Sequence, residues 1–166
     1  MAAEGFGHGV DIADVIKQVL THDEKGNYIS NPSDRYRIMK GKIVTHNHPD
    51  NHAVFSENDL RVLIRFNLGA LRVVDQKHTL VFIPSYDRID YEDAENLYKI
   101  PDLAYQHAAR WRVRCTQETQ IDLKTSKKLY REIERDMQVE LLGQYGLCYI
   151  INTQSVLEDM KTEEQR

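Results

Sequence analysis

The sequence predicts an α/β fold in which a mixed, curved β-sheet is flanked by helices and followed by a C-terminal helical extension. Helical spacing of apolar residues alternates with short β-branched runs up to residue 84, as expected when helices pack on a sheet. After residue 84 the apolar spacing is mostly helical. Hydrophobic residues make up 41% of the chain, which is enough to bury a core, so we expect an ordered globular protein.

The first half supplies the sheet and the helices that pack on it. A helix starting at Ser56 is the clearest element, because Leu60, Leu63 and Ile64 share one face. The strand before it ends at Pro49, since proline lacks the amide proton that a strand ladder needs. The sequence favours a helix over a strand for residues 11–20, and then predicts a short strand over 28–30 and a helix from 31–33 to Gly41. A strand over 42–47, the helix from Ser56 to Asn67, and a hairpin of strands over 70–75 and 79–84 follow in chain order.

The second half is predicted to be largely helical. An apolar run over residues 147–152 is the one segment there whose type its pattern does not decide. The predicted helical segments cover 91–99, 101–120 and 126–145, with breaks near Pro101, Asp122 and Ser126. We therefore divide the chain into a core over residues 1–85, a helical extension over 86–153 packed on or beside it, and a polar tail over 154–166.

Charge and cysteine content exclude several classes of protein. The net charge of −4 lacks the basic footprint of a nucleic-acid-binding protein, so nucleic acid is not the expected partner. Cys115 and Cys148 lie far apart, which excludes a disulfide scaffold and a cysteine-rich zinc site and fits a reduced, intracellular setting. No signal-peptide pattern and no apolar run of ~18 residues is present, so no membrane partner is expected.

One segment has the pattern of a catalytic metal site. His46 and His48 stand two residues apart on a predicted strand, where side chains at that spacing point to the same face. Asp59 lies in the first turn of the next helix and can return a carboxylate to the end of that strand. Two nitrogens and one oxygen leave a fourth tetrahedral position for water, as in catalytic zinc sites. We expect these three residues to bind one Zn²⁺.

With Pro49 and Ser56 included, this segment resembles the JAMM (MPN+) zinc metalloprotease family, whose signature is His-x-His-Pro, a fixed gap, Ser-x-x-Asp and a distant Glu. Seven residues separate His48 from Ser56, and two separate Ser56 from Asp59, as in the family. The residues of this motif are most similar to those of bacterial and phage members, including domains of head-morphogenesis and tail-assembly proteins. The resemblance covers residues 1–85 and implies a cytidine-deaminase-like fold and a cytoplasmic protein of a bacterium or a phage-infected cell.

The resemblance also implies roles. The chain would be a metalloprotease or isopeptidase that hydrolyses an amide bond in a protein or peptide substrate, and Ser56 would stabilise the oxyanion. The distant Glu would be the general base and acid. Glu4, 42 residues before His46, is preferred to Glu24, which lies in a predicted turn only 22 residues before His46.

Two other functions fit the same residues. A scaffold of the MPN type would keep zinc without catalysis and use the C-terminal helices to bind phage or bacterial assembly partners. A metal-dependent nucleic-acid or nucleotide hydrolase would need an electropositive groove beside the metal. The cationic residues that the sequence offers for such a groove are Arg110, Arg112, Arg114 and Lys127.

Ordinary structural roles also fit several of these residues. Ser56 and Asp59 match a helix capping box, in which the carboxylate binds the backbone instead of a metal. His52 is predicted to be an exposed loop histidine and not a further ligand. Arg110, Trp111 and their neighbours are predicted to form a helix surface packed on the core.

Overall fold

The computed structural model describes residues 21–22, 25–29, 31–48, 52–118 and 121–152. The helix predicted over residues 11–20 lies outside this part of the chain. Of the short strand predicted over 28–30, residue 30 lies outside the described residues, and Tyr28 forms an isolated antiparallel bridge with His22. The sequence that follows folds into a mixed sheet with helices packed against it, which confirms the α/β class.

Within the described residues there are four α-helices and four strands. The strand order in the sheet follows the chain, β1-β2-β3-β4, with β1 and β2 parallel and the other two pairs antiparallel. The elements are α1 (Pro32–Met39), β1 (Ile43–Asn47), α2 (Glu57–Arg65), β2 (Ala70–Val74), β3 (His78–Pro84), α3 (Tyr91–Glu118), α4 (Leu123–Leu142) and β4 (Gly146–Asn152), with a 3₁₀ turn at Tyr86–Arg88.

The β1-α2-β2 unit positions the candidate metal ligands. Parallel strands need a crossover connection, and here α2 provides it. The end of the crossover, just before β2, lies close to the residues just before β1. A Cβ added at Gly69 would collide with the Gly41 carbonyl. Gly41 itself has a φ of +74°, a backbone conformation that is strained for residues other than glycine. The segments that precede β1 and β2 are therefore held close together.

The hairpin of β2 and β3 turns through Asp75. One carboxylate oxygen, Oδ1, accepts hydrogen bonds from the backbone amides of Lys77 and His78, both at 2.7 Å. The other oxygen, Oδ2, accepts one from the amide of Ala53 at 3.1 Å. The predicted hairpin is thus confirmed, and its turn also holds the loop that follows β1.

Proline does not divide the first long helix, contrary to the sequence prediction. The helix α3 continues through Pro101 from Tyr91 to Glu118. Leu97 and Ala104, four residues before and three residues after Pro101, are fully buried, so tertiary packing holds both sides of the proline in one helix. The next helix begins at Leu123 because Asp122 caps it, its Oδ1 accepting from the amides of Lys124 and Thr125.

The C-terminal segment completes the sheet. The apolar run that the sequence left undecided forms β4, which pairs with β3 from Gly146 to Asn152. Buried side chains come from both halves of the chain and form one core cluster. Its fully buried leucine and phenylalanine members include Leu60, Leu63, Leu71, Leu80, Phe82, Leu97 and Leu142.

A buried glutamine joins α4 to the loop between β1 and α2. Gln138 has no exposed surface. Its Oε1 accepts from the Phe55 amide at 2.7 Å, and its Nε2 donates to the Phe55 carbonyl at 2.9 Å. Because both backbone groups of one loop residue are satisfied by one side chain, this contact fixes the loop against the helix.

We predict that Gln138→Met lowers the free energy of unfolding by about 3 kcal/mol, because it retains side-chain volume but leaves two buried backbone groups without partners. Urea denaturation of the metal-free protein measures this loss. The matched control is Gln106→Met at an exposed position of α3, which should change stability by less than about 0.5 kcal/mol. Equal effects of the two substitutions would contradict the role of Gln138.

Candidate metal centre

His46 and His48 reach the same side of the sheet edge. His46 lies one residue before the end of β1 and His48 one residue after it, so extended backbone turns both imidazoles the same way. Only 16% of the His46 side chain and 22% of the His48 side chain are exposed. The sequence prediction that these two rings face one point is confirmed.

Three side chains converge at that point. The Nε2 atoms of His46 and His48 are 3.0 Å apart. Asp59 places Oδ1 at 3.1 Å from Nε2 of His46 and Oδ2 at 3.1 Å from Nε2 of His48. These residues form a group of suitable ligand atoms that can hold a metal ion.

The spacing suits a small, closely coordinated cation. Ligand atoms about 2.1 Å from a tetrahedrally coordinated zinc lie about 3.4 Å from one another. The two imidazole nitrogens are 3.0 Å apart, and each lies 3.1 Å from its nearer Asp59 oxygen, so each of these pairs needs to widen by only a few tenths of an ångström. The donor set of two imidazoles and one carboxylate is also one that zinc accepts.

Asp59 takes part in the cap of α2 and also belongs to the group of candidate metal ligands. Its Oδ2 accepts from the Ser56 amide at 2.7 Å, and its own amide donates to Ser56 Oγ at 3.2 Å, so the predicted capping box is present. Ser56 is the N-cap residue of α2. The cap uses Oδ2, while Oδ1 faces His46, so both proposed uses of this carboxylate are compatible.

The electrostatics of the site favour a charged carboxylate. Burial alone would raise the pKa of Asp59, whose side chain is only 5% exposed. Hydrogen bonds with His46 and His48, the charge of His46 and the Ser56 amide outweigh burial and hold the pKa of Asp59 well below its usual range. Asp59 is therefore an anionic ligand at neutral pH.

One buried nitrogen at the site has no hydrogen-bond partner within the described residues. It is Nδ1 of His46, the ring nitrogen that does not face Asp59. In metal sites, this second nitrogen usually donates to a carbonyl or carboxylate that orients the ring. Glu4 and Glu24, the two candidates for the general base, both lie outside the described residues, so neither is placed relative to the histidines.

His52 is buried, contrary to the sequence prediction of an exposed loop residue. Only 5% of the residue is accessible. Its Nε2 lies 3.1 Å from the Arg131 carbonyl of α4, and its Nδ1 lies 3.6 Å from Glu134 Oε2. His52 therefore attaches the loop to α4 and is not part of the His46, His48 and Asp59 group.

The basic and aromatic cluster of α3 is divided between surface and interface. Arg110 and Arg114 are exposed, whereas Trp111 and Arg112 are half-buried. Arg112 donates from Nε to Ser126 Oγ on α4 at 3.2 Å. The half-buried Arg112 thus contacts α4, whereas the predicted packing of this cluster on the core does not extend to the exposed Arg110 and Arg114.

Comparisons of the chain with models of protein families, with curated proteins and with solved structures found no match. In the part of the chain that the structure describes, no helix has the length and apolar character needed to cross a membrane. Interpretation of the site therefore depends on its own residues and geometry.

We predict that the purified protein binds about one zinc ion per chain. His46→Ala and Asp59→Ala should each weaken zinc binding by at least about 100-fold, because each removes a ligand. Competition with a chromophoric chelator measures the affinity, and circular dichroism checks that each variant is folded. The control is His107→Ala at an exposed position of α3. Wild-type affinity in both ligand variants would contradict the assignment.

Proposed function

We propose that the chain is a zinc-dependent hydrolase of amide bonds, with His46, His48 and Asp59 as the metal ligands. The observation that carries the proposal is the convergence of two imidazole nitrogens and a carboxylate within 3.0 to 3.1 Å of one another. All three side chains come from the ends of β1 and α2, which the Phe55 contact with Gln138 holds in place. A site with three protein ligands keeps a position for water or substrate.

The nature of the donors supports zinc over the common alternatives. Calcium and magnesium prefer sites made of oxygen ligands, whereas two imidazoles suit zinc and other transition metals. A zinc ion bound there would polarise a substrate carbonyl and lower the pKa of a bound water to about 7. We propose Zn²⁺ as the resident cofactor.

Ser56 is proposed to donate a hydrogen bond to the oxyanion that forms when the amide carbonyl is attacked. Its Oγ accepts from the Asp59 amide, so the hydroxyl proton is not used in that bond. A preorganised donor of this kind contributes about 3 kcal/mol to transition-state stabilisation. Ser56 thus has a structural role at the helix start and a proposed catalytic role that use different atoms.

Glu4 is proposed as the group that takes a proton from water and delivers it to the leaving amine. The proposal rests on the resemblance to JAMM metalloproteases, whose distant Glu has this role, and on the gap of 42 residues to His46. The same resemblance supports a finer description of the fold as JAMM-like. The β1-α2-β2 unit supports it by placing the motif at a strand end and a helix start.

We predict that the zinc-loaded protein cleaves amide bonds and that Glu4→Gln abolishes cleavage while zinc binding is retained. Proton transfer by a positioned group contributes roughly 10²–10⁴-fold, so the loss should be of that size. Mass spectrometry of a protein and peptide mixture detects new amino termini and released isopeptide-linked tags.

The matched control for this experiment is Glu24→Gln, which makes the same chemical change at the less favoured position. Activity that survives in Glu4→Gln but not in Glu24→Gln would reassign the base. An absence of cleavage by the zinc-loaded wild-type protein, with ligand variants equally inactive, would contradict the proposed hydrolase.

One observation favours a second candidate, metal-dependent hydrolysis of a phosphoester. A cavity lined by more cationic than acidic side chains opens between the β2-β3 turn and α4. Asp75, at its floor, follows Val74, which pairs in parallel with Asn47 between the two histidines. The cavity therefore lies at the same end of the sheet as the metal ligands.

Under the second candidate, zinc-loaded protein should hydrolyse bis(p-nitrophenyl) phosphate, and His46→Ala should reduce the rate at least about 100-fold. Release of p-nitrophenol is followed by absorbance. Equal rates with the wild type and with His46→Ala would exclude the metal site as the source of that activity.

A further inference from the structure

The cavity between the β2-β3 turn and α4 is unusually cationic for this chain. Its volume is about 340 Å³, within the range of small-molecule sites. Two acidic side chains, Asp75 and Glu132, also line it. The cationic lining residues are Lys77, Lys124, Lys127, Lys128, Arg131 and Arg135. With the histidines neutral, the lining has an excess of four positive charges, although the whole chain has a net charge of −4.

The excess of four positive charges is what remains after the two acids are counted, and both acids have other partners. Asp75 uses its oxygens to accept three backbone amides, and its nearest approach to Arg135 NH1 is 3.9 Å. Glu132 pairs with Lys128 at 3.8 Å. Among the described residues, no carboxylate lies within 4.0 Å of the ammonium groups of the remaining three lysines, which are Lys77, Lys124 and Lys127.

A buried guanidinium lies at the inner end of the cavity. The Arg135 side chain is only 7% exposed, and its Nε has no hydrogen-bond partner among the described residues. Its NH1 contacts Nδ1 of His78 at 3.1 Å. Burial and the neighbouring Arg135 charge lower the pKa of His78, so that ring is a neutral acceptor. Because Arg135 lines the cavity, its buried positive charge is stabilised when an anion binds there.

We propose that this cavity binds a small phosphate-bearing ligand, with Arg135 at its inner end and Lys77, Lys124 and Lys127 at its mouth. An excess of four charges matches a phosphate or diphosphate group better than a single carboxylate. The guanidinium fork of Arg135 suits phosphate oxygens, and lysines act as point charges around them. The volume suits a ligand of nucleotide size or smaller, and not a long polyanion.

The proposed site is separate from the metal ligands and does not rest on the proposed amide hydrolase, although the phosphoester candidate involves the same cavity. It consists of residues of the β2-β3 turn, the stretch of α4 from Lys124 to Arg135, and the histidines His52 and His78, and none of them belongs to the His46, His48 and Asp59 group. An anion can bind there in the absence of metal. The two proposals can therefore fail independently.

Pyrophosphate binding to the metal-free full-length protein tests the proposal, measured by isothermal titration calorimetry at low ionic strength. We expect saturable binding with a dissociation constant below about 1 mM. The double variant Lys124→Glu with Lys127→Glu should weaken binding at least tenfold. Acidic residues near a helix N-terminus are favourable, so this variant should fold. The matched control, Lys40→Glu with Lys99→Glu, makes the same charge change at exposed residues outside the cavity and should bind as the wild type does.

Further binding measurements identify the class of ligand and test whether the metal site contributes to pyrophosphate binding. His46→Ala should bind pyrophosphate with wild-type affinity, because the cavity does not use that residue. Binding of ADP but not adenosine would support a nucleotide ligand, and binding of pyrophosphate without ADP would support a smaller phosphate compound. Absence of saturable pyrophosphate binding, equal weakening in both double variants, or binding only of a long single-stranded oligonucleotide would overturn the proposal.

Discussion

The two hydrogen bonds between Gln138 and the backbone of Phe55 are the constraint on which the candidate metal centre depends. Phe55 directly precedes the N-cap of α2, so its position fixes where that helix begins. Asp59 is three residues into the helix, and its carboxylate meets the histidines only when the helix starts at that place. Gln138 thereby helps to fix the position of Asp59 relative to His46, which the pairing of β1 with β2 holds in place.

The carboxylate of Asp59 shows how one residue satisfies two demands. The helix start needs an acceptor for the Ser56 amide, and a metal needs an anionic oxygen. Oδ1 faces His46 alone, whereas Oδ2 accepts from the Ser56 amide and also lies 3.1 Å from Nε2 of His48, so one carboxylate meets both demands. The cap also limits rotation of the side chain, which keeps Oδ1 directed at His46.

The features that sequence could predict are those set by residues close together in the chain. The strand that carries His46, the helix start at Ser56 and the hairpin at residues 70–84 follow local spacing, and the structure has each of them. The convergence of three ligands follows from the same spacing. Their identity as a zinc site with a base at Glu4 remains a prediction that depends on the family resemblance.

The features that sequence could not predict depend on contacts between distant residues. Gln138 lies 83 residues from Phe55, and no local pattern relates the two. On α4, Leu129 and Ile133 are only half-buried, while a face containing Gln138 and Arg135 is buried. Polar residues occupy that face because they bind the loop backbone and line a cavity. Hydrophobic periodicity cannot predict such a buried polar face.

The buried polar face of α4 also relates the proposed anion site to the loop that follows β1. Asp75 belongs to both, since its Oδ2 holds the Ala53 amide and lies 3.9 Å from Arg135. An anion in the cavity would compete with Asp75 for the Arg135 guanidinium. Burial would raise the pKa of Asp75, but three backbone amides outweigh it and keep that pKa below its usual range. Because those amides stabilise the carboxylate, Arg135 can turn to a ligand while Asp75 continues to hold the loop.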